Sequence, residues 1–165
     1  MRVNAIANAA SSELRAGGGV CGAICRAAGP KLERERRRLG GCKVDAAKLA
    51  GYRLPAPYVI QALSAVWQGG RHGKAELLAR CYRSSLDLTS RHGLRKVAFP
   101  VVSTGVYGFP RELAAAIAVG AVAEDLAGKP DRTVIFCCFG DGSVAPHQAA
   151  PAGLAGAQEA GRPVD

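Results

Sequence analysis

Apolar and polar positions along this chain fall into alternating blocks of strand and helix length. Short apolar runs at Val3-Asn4-Ala5-Ile6-Ala7, Tyr58-Val59-Ile60-Gln61-Ala62-Leu63, 96–102 and 132–139 have strand length. Between them, helices are predicted over about 20–28, 30–39, 74–91 and 110–127. In the 74–91 segment Leu77, Leu78, Cys81, Leu86 and Leu88 recur at helical spacing. A loop carrying Gly40-Gly41 and Gly51, and a turn carrying Gly69, Gly70 and Gly73, separate these blocks. Near-continuous apolar strands alternating with helices predict an α/β domain whose mostly parallel sheet is covered on both faces. From about Ala145 the chain is rich in Ala, Gly and Pro without periodicity, which predicts a domain over 1–144 and a disordered tail over 145–165. No internal repeat is present.

Two glycine-bearing loops join a predicted strand to a predicted helix. Ser103-Thr104-Gly105-Val106-Tyr107-Gly108-Phe109-Pro110 follows the 96–102 strand. Pro110 suits a first helical turn, and Glu112 favours the positive end of the helix dipole. Glycines and hydroxyls there leave backbone N–H groups free to face an anion, the recipe for a phosphate cradle at a helix N-terminus. The other loop runs from Asn8-Ala9-Ala10-Ser11-Ser12 through Gly17-Gly18-Gly19-Val20. Three consecutive glycines cost backbone entropy on folding, so they suit a place of close approach, or else a flexible surface loop. Two such loops in one α/β domain read as two lips of a diphosphate site beyond the carboxyl ends of the strands.

At 165 residues the chain has room for one domain with a real core. Four Phe, four Tyr and one Trp make that core aliphatic and alanine-rich. The formal charge of +9 suits an anionic partner, yet much of the excess sits in Lys31–Arg38, where glutamates alternate with arginines as on a solvated helix face. No aromatic residue is interleaved in that run, so nucleic acid is not an expected partner. The six cysteines (Cys21, Cys25, Cys42, Cys81, Cys137, Cys138) form no disulfide framework and no C-x-x-C motif, which predicts a reducing cytoplasm. The asparagine-broken start is too short for a signal peptide, and no segment approaches membrane-spanning length, so no membrane partner is expected. Cys21 and Cys25 could share a helix face and hold a metal, but no third and fourth ligand is evident. Neither a metal nor a cofactor is expected.

The segments N-A-I-A-N-A-A-S-S (4–12), G-G-G-V-C-G-A-I-C-R-A-A-G-P (17–30), G-Y-R-L-P-A-P-Y-V-I (51–60), A-F-P-V-V-S-T-G-V-Y-G-F-P (98–110) and V-I-F-C-C-F (134–139) resemble the macrodomain family, in register and in order. Within that family the chain looks most like the bacterial O-acetyl-ADP-ribose deacetylase and mono-ADP-ribosyl hydrolase branch. The resemblance implies a three-layer α/β/α fold with a mixed, mostly parallel central sheet. It also implies an ADP-ribose site in which the 17–20 and 103–108 loops pinch the diphosphate and distal ribose. Ligand contacts then fall to Asn8, Gly17, Gly18, Gly19, Val20, Ser103, Thr104, Gly105, Val106, Tyr107, Gly108 and Phe139. Tyr107 would lie against the distal ribose or pack on the helix; Asn8 would support the ribose or cap the local turn.

Departures from the family pattern gather where the branch does chemistry. The usual Asn-Ala-Ala-Asn reads Asn8-Ala9-Ala10-Ser11, so one short hydroxyl stands where an amide holds the ribose. The water-positioning aspartate is Cys21, and the histidine four residues later is Cys25. The strand usually ending in His-Thr-Val-Gly-Pro reads Gln61-Ala62-Leu63-Ser64-Ala65, and Cys-Phe-Asp reads Cys138-Phe139-Gly140. The customary first strand and its Gly-Asp-Ile adenine turn precede the position of Met1. The domain is therefore expected to be N-terminally shortened, with an exposed sheet edge and weakened adenine contacts, unless native residues lie upstream.

Cys21 and Ser11 are the candidate catalytic positions. A thiol with a reference pKa of roughly 8.5 orders water less well than a carboxylate at neutral pH. Cys21 near a helix N-terminus could act as a nucleophile, but that chemistry needs a base, and His72, His92 and His147 lie outside the matched loops. The leading expectation is a module that binds ADP-ribose, O-acetyl-ADP-ribose or an ADP-ribosylated protein, with hydrolysis weakened or lost. The alternatives are an active deacetylase or hydrolase using Cys21 or substrate-positioned water, a scaffold-only relative, and an RNA binder acting through the basic face.

Overall fold

The computed structural model describes residues 2–10, 19–39, 46–63, 73–105, 108–139 and 141–150. In chain order these form β1 (Ala5–Ala10), α1 (Gly19–Ala28), α2 (Pro30–Arg38), β2 (Ala46–Ala50), β3 (Tyr58–Leu63), α3 (Lys74–Arg91), β4 (Lys96–Pro100), α4 (Arg111–Leu126), β5 (Thr133–Cys137) and α5 (Asp141–Ala149). One sheet runs β2-β3-β1-β4-β5. β1 is parallel to β3 and β4, and β4 to β5, while β2 is antiparallel to β3, so the sheet is mixed and mostly parallel.

Alternation along the strands divides the core between the two faces. Ile6 and Val59 face α1 and α2, where Ile24, Ala28, Leu32 and Leu49 close a cluster. Ala5, Ala7, Ile60, Val97 and Phe99 face α3 and α4, meeting Leu78, Leu86, Ala114, Ala118 and Val122. The result is three layers, α/β/α. Alanine is a poor strand former, yet β1 is built from alanines because it is the central strand with helices close on both faces. Tyr82 of α3 ties the layers together, its ring 5.2 Å from that of Phe99 and 6.4 Å from that of Phe136.

Three expectations are corrected. Residues 46–50, expected as loop, form β2: Ala-Ala-Lys-Leu-Ala has little strand propensity, but pairing with β3 and burial of Leu49 hold it in the sheet. Residues 145–149, expected in a disordered tail, belong to α5, which packs on α4 and carries Pro146 within it. Contact between the Phe136 and His147 rings, 5.1 Å between centroids, fastens α5 to the sheet. The remainder of that tail, 151–165, lies outside the described residues. β1 starts at Ala5 rather than residue 3, because Asn4 exchanges two bonds with Lys96: Asn4 N donates to Lys96 O at 2.7 Å and Lys96 N to Asn4 Oδ1 at 2.8 Å. β5 is an edge strand, with Thr133 and Cys137 exposed.

Candidate functional site

The chain leaves β1 toward β3 and β2 on one side and returns to β4 on the other. That reversal makes the carboxyl ends of β1 and β4 the switch point where ligands of open α/β sheets settle. Two helix N-termini face it, because α1 follows β1 and α4 follows β4. Each presents unsatisfied N–H groups and the positive end of a helix dipole.

The lip after β4 is held from both ends by the core. Val102 and Phe109 are buried at 1% and 2% exposure, and the Tyr82 hydroxyl reaches the Val102 backbone. Burial pushes the Tyr82 phenol well up, so the hydroxyl stays neutral. Between these anchors, Phe109 N donates to Ser103 O at 3.0 Å and Gly108 N to Gly105 O at 3.0 Å. Ser103 takes a left-handed backbone, φ 69°, uncommon for a residue other than glycine, and its buried hydroxyl has no partner. A strained, buried, unpartnered hydroxyl on an anchored loop marks a place built to meet a ligand. Thr104 is half-buried, and Gly105 and Gly108 are exposed.

Beneath the opposite lip the chemistry is amide and thiol. Asn8, two residues beyond Ile6, projects into the layer under α1 and is wholly buried. Its Nδ2 donates to Gln61 Oε1 at 2.9 Å and lies 3.5 Å from Cys21 Sγ in the first turn of α1. Asn8 Oδ1 and Gln61 Nε2, both buried, have no partner. One turn on, Cys25 Sγ lies 2.9 Å from Nη1 of Arg36, which also pairs with Glu33 at 3.0 Å. Burial pushes the Cys25 thiol up, against a smaller downward pull from Arg36. The Lys31–Arg38 run is therefore not wholly a solvated face, since Arg36 is completely buried.

The expected site residues are distributed as follows. Asn8 and Cys21 come together. Gly19 (φ 62°) and exposed Val20 open α1, and Ser103, Thr104, Gly105 and Gly108 share the other lip. Phe139 stands beyond β5, 96% exposed. Ser11, Gly17, Gly18, Val106 and Tyr107 lie outside the described residues. The pairing of Gln61 with Asn8, and the parts played by Arg36, Tyr82, Val102 and Phe109, escaped sequence reasoning. A glutamine in phase with Val59 inside an apolar strand was the available signal for the first of them.

The two described histidines, His92 and His147, are elsewhere, and His72 lies outside the described residues. His147 Nδ1 contacts Ser143 O within α5, and His92 caps α3. Among the described residues no group of three His, Cys, Asp or Glu side chains could hold a metal, and no helix is long and apolar enough to cross a membrane.

Comparison with known proteins agrees with this geometry. The family described as Macro domain matches residues 7–118. The chain is 57% identical over 143 residues to the macro domain-containing protein CT2219 of Chlorobaculum tepidum, covering 86% of this chain and 83% of that one. It is 50% identical over 143 residues to the ADP-ribose glycohydrolase MACROD2 of Mus musculus, covering 84% of this chain and 30% of that longer protein. Among solved structures it resembles an Oceanobacillus iheyensis macrodomain with ADP, with TM-score 0.83, 34% identity and coverage of 88% and 81%. A Trypanosoma brucei macrodomain in complex with ADP-ribose gives TM-score 0.81 and 39% identity, over 89% of this chain and 62% of the other.

Proposed function

The chain belongs to the Macro domain family, and on that premise we propose that it binds ADP-ribose or an ADP-ribose adduct in the crevice between β1 and β4, with hydrolysis of such adducts weak or lost. The observation that carries this reading is the lip after β4, pinned by Val102 and Phe109, with the unpartnered Ser103 hydroxyl beside the N-terminus of α4. A diphosphate fits between two helix N-termini, and ribose hydroxyls can satisfy the buried Ser103 Oγ. Binding of ADP-ribose by macrodomains of related structure supports the ligand class. The weakness of hydrolysis rests on Cys21. Among the described residues, the group within hydrogen-bond reach of its thiol is the Asn8 amide, which cannot take a proton, and a thiol orders water less firmly than a carboxylate. Five described cysteines are free, in keeping with a cytoplasmic protein.

Calorimetric titration with ADP-ribose, using AMP and ADP as controls, tests the reading. Binding of ADP-ribose well above both controls is expected. A flat titration of a folded sample would remove it. A second reading, an active deacetylase or ADP-ribosyl hydrolase acting through Cys21 or substrate-positioned water, draws on similarity to an ADP-ribose glycohydrolase. Turnover abolished by Cys21→Ser would favour a thiol role. Turnover indifferent to it would favour water held by backbone and substrate.

A further inference from the structure

At the opposite pole from the crevice, where β1 and β4 begin, lies an open groove of about 670 Å³. Arg2, Asn4, Tyr52, Leu54, Pro55 and Lys96 line it. Its wall is Tyr52, 42% exposed, with a left-handed backbone (φ 53°) that a bulky residue seldom adopts. The hydroxyl is tethered, donating to Glu35 Oε2 at 2.9 Å, so the ring is presented rather than folded away. Arg34 and Arg38 of α2 stand near that hydroxyl, while Arg2 and Lys96 lie on the groove side. These four cations are exposed and form no ion pair among the described residues. The Lys31–Arg38 run contains no aromatic residue, but the fold supplies one from the 51–57 loop.

We infer that this groove is a second site, which takes single-stranded nucleic acid, one base stacking on Tyr52 while flanking phosphates meet Arg34 and Arg38 on one side and Arg2 and Lys96 on the other. A fixed, half-exposed ring with an apolar floor at Leu54 and Pro55 suits the flat face of a base. Cations on both sides of the ring match a strand that crosses it, and the net charge of +9 favours a polyanion. Tethered aromatic and apolar surface is what an acidic peptide would not need. The site is remote from the crevice, so occupancy of one leaves the other open.

The test is fluorescence anisotropy of the whole chain with a labelled 12-mer oligouridylate across a salt series. Binding at low salt is expected, unaffected by saturating ADP-ribose. Tyr52→Ala should weaken it about tenfold with the salt slope unchanged, whereas Tyr52→Phe retains it. The Arg34→Gln/Arg38→Gln pair should flatten the slope by about 1.4, at roughly 0.7 per phosphate contact. Thermal melts establish that each variant is folded, and the arginine pair keeps the test open if Tyr52→Ala is not. Displacement by ADP-ribose, tighter binding of polyglutamate, or a folded Tyr52→Ala or Arg34→Gln/Arg38→Gln variant that binds like the parent would each overturn the inference.

Discussion

Asn8 and Gln61 are register partners on parallel strands, and the Asn8 amide donates to Gln61 Oε1 at 2.9 Å with neither side chain exposed. Both positions would be apolar in an ordinary strand, since Asn8 is in phase with Ile6 and Gln61 with Val59. Their amides instead form a polar pair below the first turn of α1. The same Asn8 nitrogen reaches Cys21, so Cys21 and Gln61 converge on one residue. Removing one partner leaves the other buried and unpaired. Gln61→Leu is therefore expected to cost about 1–3 kcal/mol in urea denaturation, and Asn8→Ala a similar amount. The double variant should cost clearly less than the sum, and strict additivity would contradict the pairing.

Cys21→Asp places a carboxylate where the Asn8 amide can donate to it. If the thiol is what limits hydrolysis, turnover of O-acetyl-ADP-ribose or of a mono-ADP-ribosylated protein should rise about 100-fold. Affinity for ADP-ribose should change little, because the proposed phosphate and ribose contacts come from the lips. Unchanged turnover with intact ADP-ribose binding would move the deficiency to another position, of which Ser11 is the first to examine.

Local sequence made most of the fold legible, because the strands and helices carry their own periodicity. β3 spans the Tyr58–Leu63 segment read from the sequence, and α3 fills Lys74–Arg91. What local pattern could not reveal depends on partners distant in sequence. β2 exists because it pairs with β3, and α5 because it rests on α4 and Phe136. Within the site, the described part of the lip after β4 carries the glycines and the hydroxyl that the sequence singled out at Ser103, Gly105 and Gly108. Residues 11–18 of the other lip lie outside the described residues. The Asn8–Gln61 bond, the Cys25–Arg36 contact and the grip of Tyr82 on the Val102 backbone were not legible, since each joins residues that only folding brings together. Arg36 shows the limit most plainly. By composition it belongs to a solvated run, yet it is wholly buried between α1 and α2.

Gly51 is fixed by close approach rather than by its torsion angles. A Cβ there would stand 1.8 Å from Ala56 O, because Gly51 N donates to Pro57 O at 2.7 Å and closes the loop on itself. Gly51→Ala must push backbone against backbone. The expected loss is about 1–3 kcal/mol, read as a lower urea midpoint with an unchanged m-value. Since this loop also carries Tyr52, the variant should disturb the groove before the crevice. ADP-ribose affinity should survive at temperatures where the chain remains folded.

Acid should loosen the α5 end of the domain. Burial holds the His147 imidazole below its ordinary value, outweighing the opposing contact with Ser143 O. The folded chain therefore favours a neutral ring, and between the lowered folded value and about 6.5 the unfolded chain binds more protons. The stability contributed by this group is complete above about pH 6.5. It is lost as the pH falls from there to the folded value, and is then constant. Melting temperatures measured at pH 7.5, 6.5 and 5.5 should decline over the lower interval, and His147→Gln should shallow that decline. An equal decline in parent and variant would mean that other groups carry the acid sensitivity and that His147 protonates without disturbing its contact with Phe136.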